Sequence, residues 1–188
     1  AEIYKEEPDV VAFSCYIWNI EQTLEVIKIL KKVRPELKII LGGPEVSYDP
    51  TTMLNNHPEV DYIVYGEGEV TFKRLLTKLE AKQSVAGVKG LAYRDDGVVK
   101  NEPRGVLTNL DQIPSPYQSL DGLENKVVYY ESMRGCPFNC QYCLSSTLSQ
   151  VRFFSLERVK DDLLTLIEAE VRQVKFVDRT FNCDADHA

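Results

Sequence analysis

Three cysteines fall within one short stretch, Met133-Arg134-Gly135-Cys136-Pro137-Phe138-Asn139-Cys140-Gln141-Tyr142-Cys143, with the spacing C-x3-C-x2-C. Thiolates are soft ligands suited to iron–sulfur clusters and zinc. Three of them can hold three irons of a [4Fe–4S] cubane and leave the last iron without a protein ligand. That is an open, reactive position, whereas clusters kept for electron transfer usually have four cysteines. Zinc is the competing metal. It normally takes a fourth Cys or His, for which Cys183 and His187 are the candidates. A structural metal knuckle or an electron-transfer cluster therefore stands beside a catalytic one. The chain has five cysteines, an odd count with three clustered. That pattern suits metal binding in a reducing, cytoplasmic compartment better than a disulfide framework.

The elements that must present these thiols can be read around them. Val127-Val128-Tyr129-Tyr130 reads as a strand leading into the cysteine loop. Ser155 reads as the cap of a helix from Leu156 to about Ala169, with Leu156, Val159, Leu163 and Leu166 or Ile167 inward. Val174-Lys175-Phe176-Val177 reads as a second strand. Asp178, Arg179, Thr180 and Asn182 follow it, and Asp178 reads as a site residue or simply as the end of the strand.

The first eighty or so residues also alternate strand and helix. Asp9–Ser14, Lys38–Leu41 and Asp61–Tyr65 are short apolar runs of the kind found in buried parallel strands. A helix is expected from Asn19, read with Gln22 as a capping box, to about Arg34, where Pro35 ends it. Another is expected over Val70–Leu79, with Phe72, Leu75, Leu76 and Leu79 on one side. In such sheets ligands bind beyond the carboxyl ends of the strands. Those ends carry Ser14, Gly42-Gly43 and Gly66-Glu67-Gly68. Gly90–Lys100, turning at Asp95-Asp96-Gly97, reads as a hairpin. Pro103, Pro114 and Pro116 then mark an extended linker.

The CxxxCxxC loop, with aromatic Tyr142 before its last cysteine, resembles the radical S-adenosylmethionine (SAM) superfamily. The resemblance implies that Cys136, Cys140 and Cys143 bind a [4Fe–4S] cluster whose open iron chelates SAM, and that Tyr142 packs beside the adenine. Reductive cleavage would then give methionine and a 5′-deoxyadenosyl radical that takes hydrogen from a substrate. Asp178 would be a contact at the barrel mouth. The segments PDVVAFSCYIWN, IILGGPEVS and VDYIVYGEGE resemble the cobalamin-binding subclass. There Ser14, Gly42, Gly43, Gly66, Glu67 and Gly68 would line the cobalamin, small residues suiting close approach of a planar ring. Members include methyltransferases and the anaerobic magnesium-protoporphyrin monomethyl ester cyclase. The implied cofactors are the cluster, SAM and cobalamin. The implied partners are a small-molecule substrate and a reductant such as flavodoxin or ferredoxin.

The expected fold class is α/β. A partial Rossmann-like, flavodoxin-like parallel sheet of cobalamin-binding type spans 1–82, and a β-hairpin and linker span 83–125. The start of a radical SAM (β/α)6 partial TIM barrel spans 126–188. The chain is expected to be a segment of a longer protein, truncated at both ends. The D-x-H-x-x-G cobalt-ligand motif is absent, and neither His57 nor His187 fits its position.

Composition narrows the partners. A net charge of -7 argues against a nucleic-acid surface, which needs clustered Lys and Arg. No apolar run approaches the ~20 residues of a membrane span. Trp18 reads equally as a cover for a corrin face or a plug over the sheet. Glu67 and Glu69 read equally as ligand contacts or as acidic groups favouring a helix N-terminus. Cys15 reads as a packed thiol, and His57 as a loop residue.

Overall fold

A computed structural model of the chain describes residues 2–118, 120, 122, 123, 125–143 and 150–187. They divide into two compact units, Ala1–Val106 and Leu107–Ala188.

The first unit is a five-stranded sheet in the order β1-β2-β3-β4-β5, with β1 Val10–Ser14, β2 Lys38–Gly42, β3 Tyr62–Val64, β4 Leu91–Asp95 and β5 Val98–Asn101. β1, β2 and β3 are parallel. β4 and β5 run antiparallel on the far side of β3. The hairpin, expected within a linker over 83–125, is therefore part of this sheet. Tyr62, Ile63 and Val64 pair with Tyr93, Ala92 and Leu91. A hairpin with an apolar face is stable only when it packs on something, and β3 supplies that edge.

A short helix, α1 Glu2–Lys5, precedes β1, and α2 Ile20–Val33 joins β1 to β2. Two short helices that the sequence reading left as loop, α3 Pro44–Ser47 and α4 Pro50–Asn56, lie between β2 and β3. Each has a proline in its first turn, where a missing N–H costs nothing. α5 Gly68–Glu80 follows β3. Side chains alternate across a strand, so the sheet has two cores. Ile39, Leu41 and Ile63 pack with Ile27 of α2 and Leu54 of α4. Ile40, Val64, Leu91 and Tyr93 pack with Leu75 of α5. Arg94 of β4 donates to the carbonyls of Leu54, His57 and Val60, which satisfies acceptors left open at the end of α4.

The second unit holds a β-α-β element. β6 Val127–Tyr130 pairs in parallel with β9 Gln173–Phe176, and α6 Leu156–Glu168 connects them. Ser155 caps α6 as expected, its side chain accepting from the Arg158 N–H. Val159 and Leu166 are buried, while Leu156 is 40% and Ile167 68% exposed, so the inward stripe is narrower than the sequence suggested. The proline-rich segment is not a free linker. Its 3-10 turn Leu110–Gln112 buries Leu110, and Ile113, Tyr117, Leu120 and Leu123 pack on the same core. Residues 119, 121 and 124 of that segment lie outside the described residues. A two-stranded ribbon the sequence did not suggest, β7 Met133–Arg134 against β8 Arg152–Phe153, closes the base of the cysteine loop. Among the described residues no helix is long and apolar enough to cross a membrane.

Candidate functional site

The carboxyl ends of β1, β2 and β3 open onto a crevice of about 440 Å3. Ala12, Ser14, Gly42, Gly43 and Gly68 leave its walls short, and Ile40, Val64 and Phe72 make them apolar. Glu69, in the first turn of α5, adds a carboxylate. Of the six residues named from sequence, Ser14, Gly42, Gly43 and Gly68 line the crevice. Gly66 and Glu67 lie just before α5 and are not part of its wall, Glu67 being the N-cap residue.

Gly43 is dictated by geometry. Its φ is 100°, and a Cβ there would stand 2.5 Å from the Cys15 carbonyl oxygen. Only glycine allows that approach. The Gly42 carbonyl accepts the Cys15 N–H at 2.7 Å, so the two strand-end loops are bonded together at the crevice. Cys15 itself is fully buried, and burial pushes its thiol up to about 11, which leaves it a neutral packed group.

Asn19 does not form the expected capping box. Its Oδ1 accepts from Tyr16 N at 2.8 Å and its Nδ2 donates to Ser14 O at 3.0 Å. The side chain faces the loop because that loop leaves its own backbone groups unpaired, a competing use open to a short amide. Tyr16, whose N–H it fixes, stacks on Trp18 with centroids 4.6 Å apart and an interplanar angle of 7°. Trp18 is 71% exposed, so it is not a plug over the sheet.

In the second unit the cysteine loop leaves β7 through Gly135. Here φ is 93°, and a Cβ would fall 2.2 Å from the Gln150 carbonyl oxygen, where the loop returns. Gly135 thus lets the loop's two ends meet. Cys143 N donates to Cys140 O at 3.0 Å, so the x2 spacing folds as a turn. All five cysteines are thiols, with Cys140 exposed and Cys136 and Cys143 half-buried. Among the described residues no three His, Cys, Asp or Glu side chains are gathered closely enough to hold a metal ion. Thiolates converging on one point repel one another, and metal binding itself supplies the energy that gathers them. The donor set therefore fits a cluster by number and type, on a loop whose base is already closed. Residues 144–149 of the loop lie outside the described residues.

Cys183 and His187, the candidate fourth zinc ligands, both pack against the ribbon at the base of the loop, and the His187 Nε2 is buried without a hydrogen-bond partner. The Cys183 thiol lies 3.7 Å from the Met133 sulfur, and the His187 ring packs on Phe153 at 4.4 Å. Tyr142, expected beside adenine, is 94% exposed. Asp178, expected at the barrel mouth, turns inward to the start of the cysteine loop. Its carboxylate accepts from the N–H groups of Ser132 and Met133 and from the Ser132 hydroxyl. The sequence placed Asp178 and Thr180 after the second strand but gave no sign of what they bond, because their partners lie more than forty residues away.

Fold and site together define an α/β cofactor-binding domain followed by a β-α-β unit bearing a cluster-type cysteine loop. Residues 1–76 match the family model described as "B12 binding domain". The "Uncharacterized methyltransferase PH0819" of Pyrococcus horikoshii is 35% identical over 99% of this chain and 43% of its own length. The "Cobalamin-dependent radical SAM methyltransferase TokK" of Streptomyces tokunonensis is 34% identical over 93% of the chain and 28% of its own length. The fold is that of the radical SAM methyltransferase TsrM from Kitasatospora setae, with a TM-score of 0.77 at 18% identity over 99% of this chain and 40% of that one. Over nearly its whole length the chain is thus similar to proteins named as methyltransferases, one of them a cobalamin-dependent radical SAM enzyme, and its residues 1–76 match the B12-binding family. It spans less than half the length of these relatives.

Proposed function

We propose that this chain is the cofactor-binding part of a cobalamin-dependent radical SAM methyltransferase acting on a small molecule. The observation that carries the reading is one chain holding both a glycine-lined crevice matching the B12-binding family and a C-x3-C-x2-C loop on a β-α-β unit. The relatives at 35% and 34% identity are named as methyltransferases, which favours methyl transfer over oxidative cyclisation.

When bound, the cluster and SAM supply a one-electron cleavage and a methyl group, and cobalamin supplies a methyl carrier; that chemistry belongs to the cofactors. The protein's part is to bind and orient them. Cys136, Cys140 and Cys143 hold the cluster and leave one iron open. Tyr142, solvent-exposed beside Cys143, offers a flat face to the adenine. Ser14, Gly42, Gly43 and Gly68 admit part of the cobalamin between the strand ends, and Phe72, Val64 and Ile40 exclude water from it. A reducing partner such as flavodoxin or ferredoxin would supply the electron.

Anaerobic reconstitution of the natural full-length protein with iron and sulfide tests this. The expected result is one cluster per chain, cleavage of SAM on reduction, and an absorption change when hydroxocobalamin is added. Accumulation of S-adenosylhomocysteine with a methylated product marks methyl transfer, and its absence during turnover marks another radical outcome such as cyclisation. Stoichiometric zinc with no iron, or no retention of cobalamin, overturns the reading.

A further inference from the structure

The segment after β9 reaches back to the cysteine loop through two side chains. Asp178 Oδ1 accepts from Ser132 N at 2.8 Å and Met133 N at 3.0 Å, and Oδ2 accepts from the Ser132 hydroxyl at 2.6 Å. Ser132 is 2% exposed, and its carbonyl also accepts from Phe154 N at 3.0 Å. The backbone that starts β7 is thus held from both sides. Two residues on from Asp178, the Thr180 Oγ1 lies 3.4 Å from the Cys136 sulfur. Thr180 is fixed in turn, its carbonyl accepting from Cys183 N at 3.1 Å, while the neighbouring Phe181 packs on Phe176 of β9 with centroids 4.8 Å apart.

A cysteine in a cluster is a thiolate, which accepts hydrogen bonds and donates none. The only hydrogen available at the Thr180–Cys136 contact is then the threonine hydroxyl's. A donor at a ligand sulfur stabilises the reduced cluster more than the oxidised one, because reduction adds negative charge to the sulfurs, and such bonds help set the potential. We infer that Thr180 is a positioning residue for the cluster: its hydroxyl donates to the Cys136 sulfur and raises the reduction potential, while Asp178 fixes the strand that presents Cys136. This rests on the reading of Cys136, Cys140 and Cys143 as cluster ligands.

The test is a redox titration, followed by electron paramagnetic resonance, of the reconstituted full-length protein and its Thr180→Val, Thr180→Ser and Asp178→Asn variants. Iron content is measured for each. Thr180→Val is isosteric and lacks the donor, so it is expected to keep the wild-type iron content and titrate at a more negative potential. Thr180→Ser restores the donor and is expected to return toward the wild-type potential. Asp178→Asn loses an acceptor for the Ser132 hydroxyl and is expected to release iron to a chelator several-fold faster with its circular dichroism unchanged. If Thr180→Val loses iron while Thr180→Ser keeps it, the hydroxyl is again shown to serve the site. Wild-type iron with an unchanged potential in Thr180→Val overturns the inference, and so does equal loss of iron in Thr180→Val and Thr180→Ser. An absence of iron in the wild-type protein instead overturns the assignment of the three cysteines, which keeps the two failures distinct.

Discussion

The crevice of the first unit and the cysteine loop of the second are both sites at strand ends, yet they are made in opposite ways. The crevice is a space that small residues leave open between parallel strands, and its shape is held by backbone bonds such as Cys15 N to Gly42 O. The cysteine loop is a set of reactive side chains in a stretch whose residues 137–142 are exposed. It is held by Gly135 at its base and by Asp178 and Thr180 from β9's end. A site made by leaving side chains out depends on rigidity. A site made by placing them depends on the ligand to complete it.

The contrast can be broken at four places. The largest effect is expected in the cysteine loop. Replacing Cys136, Cys140 and Cys143 together by Ala should reduce iron after reconstitution from about four per chain to near none, with little change in thermal unfolding before iron is added. A large loss of stability in the metal-free variant would show that the thiols do structural work.

The crevice should behave in the reverse manner. Gly43→Ala forces a left-handed φ and a clash on Cys15, and should cost about 2–4 kcal/mol in chemical denaturation, along with cobalamin binding. Retained stability would mean that the strand-end loops yield more easily than their bonding implies. Arg94→Ala leaves the carbonyls of Leu54, His57 and Val60 without their donor and should cost about 1–3 kcal/mol, with iron content untouched. Smallest is Ser155→Ala. It removes one N-cap bond from α6 and should lower stability by about 1 kcal/mol, with the potential unchanged. A shift in potential there would mean that the α6 start and the cysteine loop are coupled.

Legibility differed between the two sites as their construction does. The three thiols could be read directly, because residue type and spacing carry the chemistry. The strand ends could be read from Ser14-Cys15 and Gly42-Gly43, because a short apolar run closed by small residues marks them. The wall residues Ile40, Val64 and Phe72 could not be separated from ordinary core, since apolar side chains look alike in sequence. Asn19 shows how a local motif misleads. Its spacing to Gln22 fits a capping box, but the loop before it competed for the same amide and won. The hairpin over β4 and β5 was legible as a hairpin, but its place in the first sheet was not, because pairing with β3 is a contact of long sequence separation.

What the sequence determined by itself is the strand–helix alternation, the two cofactor-type sites and the three cysteines, all of which rest on residue type and local spacing. Tertiary structure alone decided that the hairpin completes the first sheet, that the proline segment packs on the second core, and that Asp178 and Thr180 serve the start of the cysteine loop. Each of these joins residues far apart in the chain. A hydrogen bond over such a distance leaves no periodicity, and it exists only once the strands between have folded.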